Sequence, residues 1–370
     1  MRRRGLFKFL VSCSLLVWGW APLLAADLDS ELHDLEDFSR ALSVIETQSL
    51  YPREHKELID AAISGMLKDL DPYSNLLDAQ GFERVKEVSK GRNFGVGLSL
   101  APVGADLVIT RVVPGTPAAL AGLKRGQKVK AVNGQPIDSF DAKALSDLRF
   151  DGAPLKLTLS SGQQLTLQKT WYDNPGMRFQ RPQPGILVAE VPEFFVDTPT
   201  QLAAELLREP PQTLILDLRD NPGGLVFSAV ETAELLVGPG PIVETRDRQG
   251  KRLESFLARQ PPVVPLKKLV LLLNGNSASA AEILAQSLKE RGVAVLVGEL
   301  SFGKGVVQTL FPLGRERFAL LTVARYYGPS GKSFHGQGIT PDWAVKDNLQ
   351  AERWGPEDPI YQRALKLAVP

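Results

Sequence analysis

The chain has 370 residues, 44% hydrophobic and 23% charged, with a formal net charge of +1. This is globular composition with length for two or three domains. No long basic run follows the first eight residues, which excludes a nucleic-acid partner held by charge. Residues 1–26 read as a secretory signal. Arg2, Arg3, Arg4 and Lys8 form a basic start, Phe9 to Leu24 is apolar, and Ala25 and Ala26 precede an acidic run. Cleavage would leave the protein in the periplasm or cell envelope of a bacterium; a retained membrane anchor is the alternative. Arg3-Arg4-Gly5-Leu6-Phe7-Lys8 faintly resembles a twin-arginine signal. Cys13, the only cysteine, comes before most of the apolar region, which argues against lipidation there. Once the leader is removed, the protein has neither a disulfide nor a thiol nucleophile.

Residues 27–92 are expected to be a helical segment. Leu32, Leu35, Phe38, Leu42 and Ile45 recur at helical spacing, as do Leu58, Ile59, Ala62, Ile63, Met66 and Leu67. The second run stops at the turn Asp71-Pro72-Tyr73-Ser74. Both faces need a partner surface, a neighbouring segment or a second copy.

Residues 93–170 change to short strands at 108–113, 128–132 and 155–159, separated by Asn133-Gly134 and Ser161-Gly162. Short helices are expected near Pro117–Ala121 and Asp141–Leu145. This is the pattern of a small β-barrel, and its residues resemble a PDZ domain. Phe94-Gly95-Val96-Gly97-Leu98 is similar to the loop whose N–H groups hold a peptide's terminal carboxylate. Thr116 to Gly126 and Val132-Asn133-Gly134 also match, while Gln127 departs from the usual aspartate.

Residues 171–345 read as α/β. Strand-like runs lie at 186–191, 213–218, 269–273 and 293–297, with helical patterns at 196–208, 226–237 and 279–291. Residues 346–370 look like a polar, helical tail.

Two residues past the last two strands suggest chemistry, because parallel strands deliver side chains from their C-terminal ends into one crevice. Ser279 lies in Asn274-Gly275-Asn276-Ser277-Ala278-Ser279-Ala280, and Lys304 in Gly303-Lys304-Gly305. A neutral lysine can take the proton of a serine hydroxyl, which activates a nucleophile without histidine. That requires surroundings that lower the amine's pKa, and Val306, Val307, Leu310 and Phe311 are the candidates. Gln308 could hold the amine by a hydrogen bond. The N–H of Ala280, at a helix start, could donate to an oxyanion. The bland readings are that Ser277 or Ser279 is only an N-cap and Lys304 a turn lysine. His33 and His55 sit in helix-like stretches, and His335 is read as a loop residue. Gly298 to Lys304 fits the first part of a phosphate loop, but Gly305 replaces the Ser or Thr that would hold Mg²⁺.

A third segment, Asp217-Leu218-Arg219-Asp220-Asn221-Pro222-Gly223-Gly224, joins strand to helix through a glycine pair and could supply a second oxyanion donor. With Ser277 to Ile283 and Gly303 to Gln308, it resembles the C-terminal processing peptidases, also called tail-specific proteases. The similarity runs from about Leu42 to Leu367. It implies an α/β core of the crotonase-like type and a serine endopeptidase acting on C-terminal tails. Ser279 would be the nucleophile, Lys304 the base and Gln308 its orienter. The oxyanion hole would come from Ala280 and Gly224, with Gly223 as the alternative to Gly224. No metal or cofactor is implied. The expected partners are proteins or peptides with free C-termini, and an adaptor or a homo-oligomer stays open. A non-catalytic PDZ scaffold and an acyl-binding carrier are the competing readings.

Overall fold

The computed structural model describes residues 28–137, 152–173 and 175–368. The leader and the helix expected at Asp141–Leu145 lie outside the described residues. The chain divides into two compact units, residues 1–63 and 64–370. In the first, helix α1 (Leu28–Gln48) forms as its spacing predicts, and Leu32, Leu35, Phe38 and Ile45 stay exposed. Helix α2 (His55–Leu70) crosses the boundary between the units.

In the second unit, a turn follows the end of α2. Oδ1 of Asp71 accepts the N–H of Tyr73 at 2.7 Å and of Ser74 at 2.8 Å, which stops the helix. Strand β1 (Asn75–Leu77) and helix α3 (Ala79–Ser89) follow, so past its expected turn the helical segment also contains a short strand.

Strands β2 (Arg92–Gly95) to β9 (Thr170–Asp173) make the small barrel. β2 pairs with β9 as a stem. Between them, β3 (Leu98–Val103), β4 (Asp106–Val112), β5 (Lys128–Val132), β7 (Leu155–Leu159) and β8 (Gln164–Leu167) form a sheet with short β6 (Gln135–Pro136) beside β5. Its core includes Ile109, Val129, Val132 and Leu157, with the short helix α4 (Pro117–Leu120) packed on it through Ala118.

Among the described residues, the main sheet runs β10 (Arg178–Gln183), β11 (Ile186–Glu190), β12 (Thr213–Asp217), β15 (Lys268–Leu273), β16 (Val295–Gly298), β19 (Trp343–Ala344). All are parallel from β11 onward, and β10 is an antiparallel edge. The strands read as unbroken apolar runs because both faces are covered. Leu187, Leu214, Leu216, Leu269 and Leu271 pack with helices α5 (Thr198–Arg208), α6 (Val226–Leu236) and α7 (Ala280–Glu290). Ile186, Val188, Ile215, Val270 and Leu272 face the other way.

Helix α8 (Pro359–Ala368) covers that second face with Ile360, Tyr361, Ala364 and Ala368. The sequence suggested a polar tail; the structure corrects this, because its few apolar residues fall on one helical face. A second sheet joins β13 (Gly240–Arg246), β14 (Arg252–Ala258), β17 (Val306–Gly314) and β18 (Arg317–Tyr327), and β1 pairs with β18 from Asn75↔Leu320 to Leu77↔Phe318.

Candidate active site

Three loops leave the C-terminal ends of β12, β15 and β16 and meet. In the β15 loop Ser277 is fully buried and its hydroxyl is spent: Oγ donates to Leu218 O at 2.8 Å and accepts from Asn274 N at 3.0 Å. Ser279 is half-buried and stands at φ 56°, ψ −115°, a conformation costly for a side chain. Ala280 opens α7, so its N–H has no carbonyl one turn earlier.

Glu282 holds the β15 and β16 loops together. Its carboxylate is fully buried. Oε2 accepts the backbone N–H of Ser279 at 2.9 Å and of Lys304 at 2.8 Å. Oε1 accepts the Ser301 hydroxyl at 2.5 Å and the Gly303 N–H at 2.6 Å. All four partners are donors, so the geometry suits the ionised form. Burial nevertheless pushes its pKa up, against the pull of those hydrogen bonds. The same contacts dispose of the phosphate-loop reading: the N–H groups of Gly303 and Lys304 that would cradle a phosphate are committed to Glu282. The loops also join directly, Phe302 N donating to Ser277 O at 3.0 Å.

The aromatic ring near Lys304 comes from the N-terminal turn. Nζ lies 4.9 Å from the Tyr73 ring centroid. Nε2 of Gln308 donates to Tyr73 O at 2.5 Å, which leaves Oε1 as its acceptor. Burial and the negative charges of Glu282 and Asp71 raise the Tyr73 phenol, keeping it protonated. Of the expected apolar wall, Val306 is buried but Phe311 is 41% exposed on β17. His335 sits 6.2 Å from Tyr73, ring to ring, and burial lowers its pKa.

The β12 loop carries the glycine pair. Asn221 is fully buried: Oδ1 accepts Gly223 N at 2.8 Å, Nδ2 donates to Val191 O at 2.8 Å, and its carbonyl accepts Ala278 N at 2.9 Å. The N–H of Gly223 is therefore occupied, whereas among the described residues that of Gly224 meets no acceptor. Both glycines have positive φ, 113° and 117°. A Cβ on Gly224 would lie 2.3 Å from Phe194 O, and one on Gly223 2.8 Å from Ser279 Cβ.

Below the loop Arg219 is clamped between Asp217 and Asp358, its Nη1 2.8 Å from Asp358 Oδ1. Burial would raise the Asp217 carboxyl, but Arg219 outweighs it and holds it at about 2. Glu282, Tyr73 and Asn221 had no role in the sequence reading. The spacing Ser279-x-x-Glu282 is a capping-box signal that pointed to Glu282.

In the barrel, Phe94 and Gly95 end β2, paired with Trp171 and Thr170. Val96 is buried and its carbonyl accepts Ala118 N at 2.9 Å. Gly97, at φ 74°, accepts Val113 N at 2.8 Å, and a Cβ there would lie 2.1 Å from Thr116 Oγ1. Leu98 begins β3.

These loops meet at the C-terminal ends of a parallel sheet, in a chain that also carries a small β-rich module. A model of peptidase family S41 matches residues 189–345, and one of the PDZ domain matches residues 108–148. The carboxy-terminal-processing protease of Bartonella bacilliformis is 32% identical over 329 residues, covering 85% of this chain and 76% of that protein. The carboxyl-terminal-processing protease of Synechocystis sp. is 32% identical over 335 residues, covering 85% and 78%. A solved structure, the photosystem II D1 C-terminal processing protease, is 26% identical with a TM-score of 0.63, covering 84% of this chain and 86% of that one. The chain belongs to the carboxyl-terminal-processing protease family of S41 serine peptidases.

Proposed function

We propose that the chain is an exported endopeptidase that works through a Ser279–Lys304 dyad. The observation that carries this is the shared carboxylate: one oxygen of Glu282 binds the backbones of both residues, so their side chains start from one anchored frame. Neutral Lys304 Nζ takes the Ser279 hydroxyl proton as Oγ attacks the scissile carbonyl. The oxyanion is held by the N–H groups of Ala280 and Gly224; Gly224 is favoured over Gly223, whose N–H already binds Asn221. Lys304 returns the proton to the leaving amine, and water then hydrolyses the ester with Lys304 as base again. Gln308, held on Tyr73 O, accepts from Lys304 Nζ through Oε1 and orients it. Ser277 is structural.

The PDZ loop Phe94–Leu98 selects substrates by their free C-termini. The reading divides the chain into a leader to residue 26, a helical segment to 92, a PDZ module to 170, a crotonase-like peptidase core to 345 and a C-terminal segment. The basic-apolar-small pattern of the leader supports export. Purified Ser279→Ala and Lys304→Ala should each abolish turnover of an unfolded protein, and the double variant should be no worse than either. Lys304→Arg should also be inactive, since a guanidinium stays charged. Turnover by Ser279→Ala would refute the assignment.

A further inference from the structure

The C-terminal segment supplies an arginine to the loops at the site. Asp220, between the clamped Arg219 and Asn221, is 5% exposed and stands at φ 59°. Its Oδ1 accepts Nδ2 of Asn274 at 3.0 Å and of Asn276 at 2.9 Å, and its N–H donates to Asn274 Oδ1 at 2.9 Å. The glycine-pair loop and the serine loop are thus joined through this one residue. The remaining oxygen, Oδ2, takes Arg353 Nη2 at 2.6 Å. Arg353 Nη1 lies 3.1 Å from Asp347 Oδ2, which also holds Arg125 of the PDZ module at 2.9 Å. The next residue, Trp354, has φ 65°, with its indole N–H on Asp217 at 2.9 Å and its backbone N–H on Asp358 at 3.1 Å. A bulky residue persists in that conformation only where its surroundings over-determine it.

We propose that Arg353 is a positioning residue for the peptidase centre, acting through Asp220 to hold the glycine-pair loop and the serine loop in register. The proposal rests on the dyad reading. Without Arg353, Asp220 keeps its amide partners but loses the guanidinium bonded to Oδ2, and a buried carboxylate whose ion pair is broken draws in water or moves. Either shift carries Gly224 and Ser279 apart. A displacement of about 1 Å between reacting groups costs about 10²-fold in rate, with little change in substrate binding.

The test compares full-length wild type with Arg353→Gln, Arg353→Lys and Asp220→Asn. The substrate is an internally quenched peptide with a free, apolar C-terminus, and rates are taken per site labelled to completion by a fluorophosphonate. The expected result is kcat per site lowered roughly 10- to 100-fold in Arg353→Gln with KM within about twofold, and an intermediate kcat in Arg353→Lys. Asp220→Asn, which keeps the shape and the amide acceptor, should lower kcat in the same way and covers the case in which Arg353→Gln fails to fold. A purely structural residue would lower the labelled fraction and the melting temperature but leave kcat per site unchanged. That outcome, or a loss carried by KM, overturns the proposal. Ser279→Ala runs alongside: turnover there removes the dyad reading itself, independently of what the Arg353 variants do.

Discussion

The backbone N–H groups of Ser279 and Lys304 share a single acceptor atom, Oε2 of Glu282, at 2.9 and 2.8 Å. Glu282→Gln puts an NH₂ group or a lone oxygen where four donors converge. Each lost hydrogen bond to a charged group is worth about 1.5–3 kcal/mol. The variant should lose most of its activity and several degrees of melting temperature, whereas Ser279→Ala should lose activity alone. Thermal unfolding measured beside peptide turnover separates the two.

Activity and fold should part company on acidification. Burial raises Glu282 above its ordinary 4.5, while Asp217, Asp220 and Asp358 are lowered from 3.8, Asp217 to about 2, because their arginine partners and hydrogen bonds outweigh burial. A raised acid takes up its proton in the folded state before the unfolded chain would, so acidification through that window does not unfold the protein. It does remove an acceptor from the dyad's frame. The lowered aspartates stabilise the fold above 3.8, and that contribution fades as pH falls toward 2. Turnover should therefore fall reversibly on acidification before the fold is lost, with circular dichroism unchanged until pH is below about 4. Coincident loss of both signals would contradict this.

The two serines should fail differently. Ser277→Ala strands Asn274 N in the core and leaves Leu218 O with only the Asn221 N–H, at about 1–3 kcal/mol, and should melt earlier while keeping its turnover per folded molecule. Equal melting temperatures for Ser277→Ala and wild type would count against the buried hydroxyl's role.

Gly223→Ala is expected to be nearly inactive and somewhat destabilised, because its methyl group would lie 2.8 Å from Ser279 Cβ and 3.0 Å from Ala278 O at a φ of 113°. Gly224→Ala meets backbone more closely, 2.3 Å from Phe194 O, and should misfold or melt far earlier. Soluble yield, melting temperature and turnover of the two variants check the contrast.

Substrate choice should depend on a free carboxylate. C-terminal amidation of one apolar-ended peptide should weaken its binding to full-length Ser279→Ala by about 1–3 kcal/mol, the scale for unmade charged hydrogen bonds. Equal affinities by calorimetry would remove the PDZ loop from the reading while leaving the dyad standing.

Much of this was legible along the chain because it is local. Strands β12 and β15 are unbroken apolar runs, helix α7 follows a capping signal, and turns such as Asn133-Gly134 need their own residue types. Even the nominated residues follow from place, just past strand ends. The sequence alone could not say that the Ser277 hydroxyl is spent in the core on Leu218 O. It also could not show that Tyr73 reaches Lys304, that Arg353 reaches Asp220, or that α8 closes the second face of the sheet. These are contacts between residues far apart in the chain. A local pattern fixes which way a side chain faces on its own element, whereas its partner across the molecule is set only when the sheet order and loop paths bring the two together.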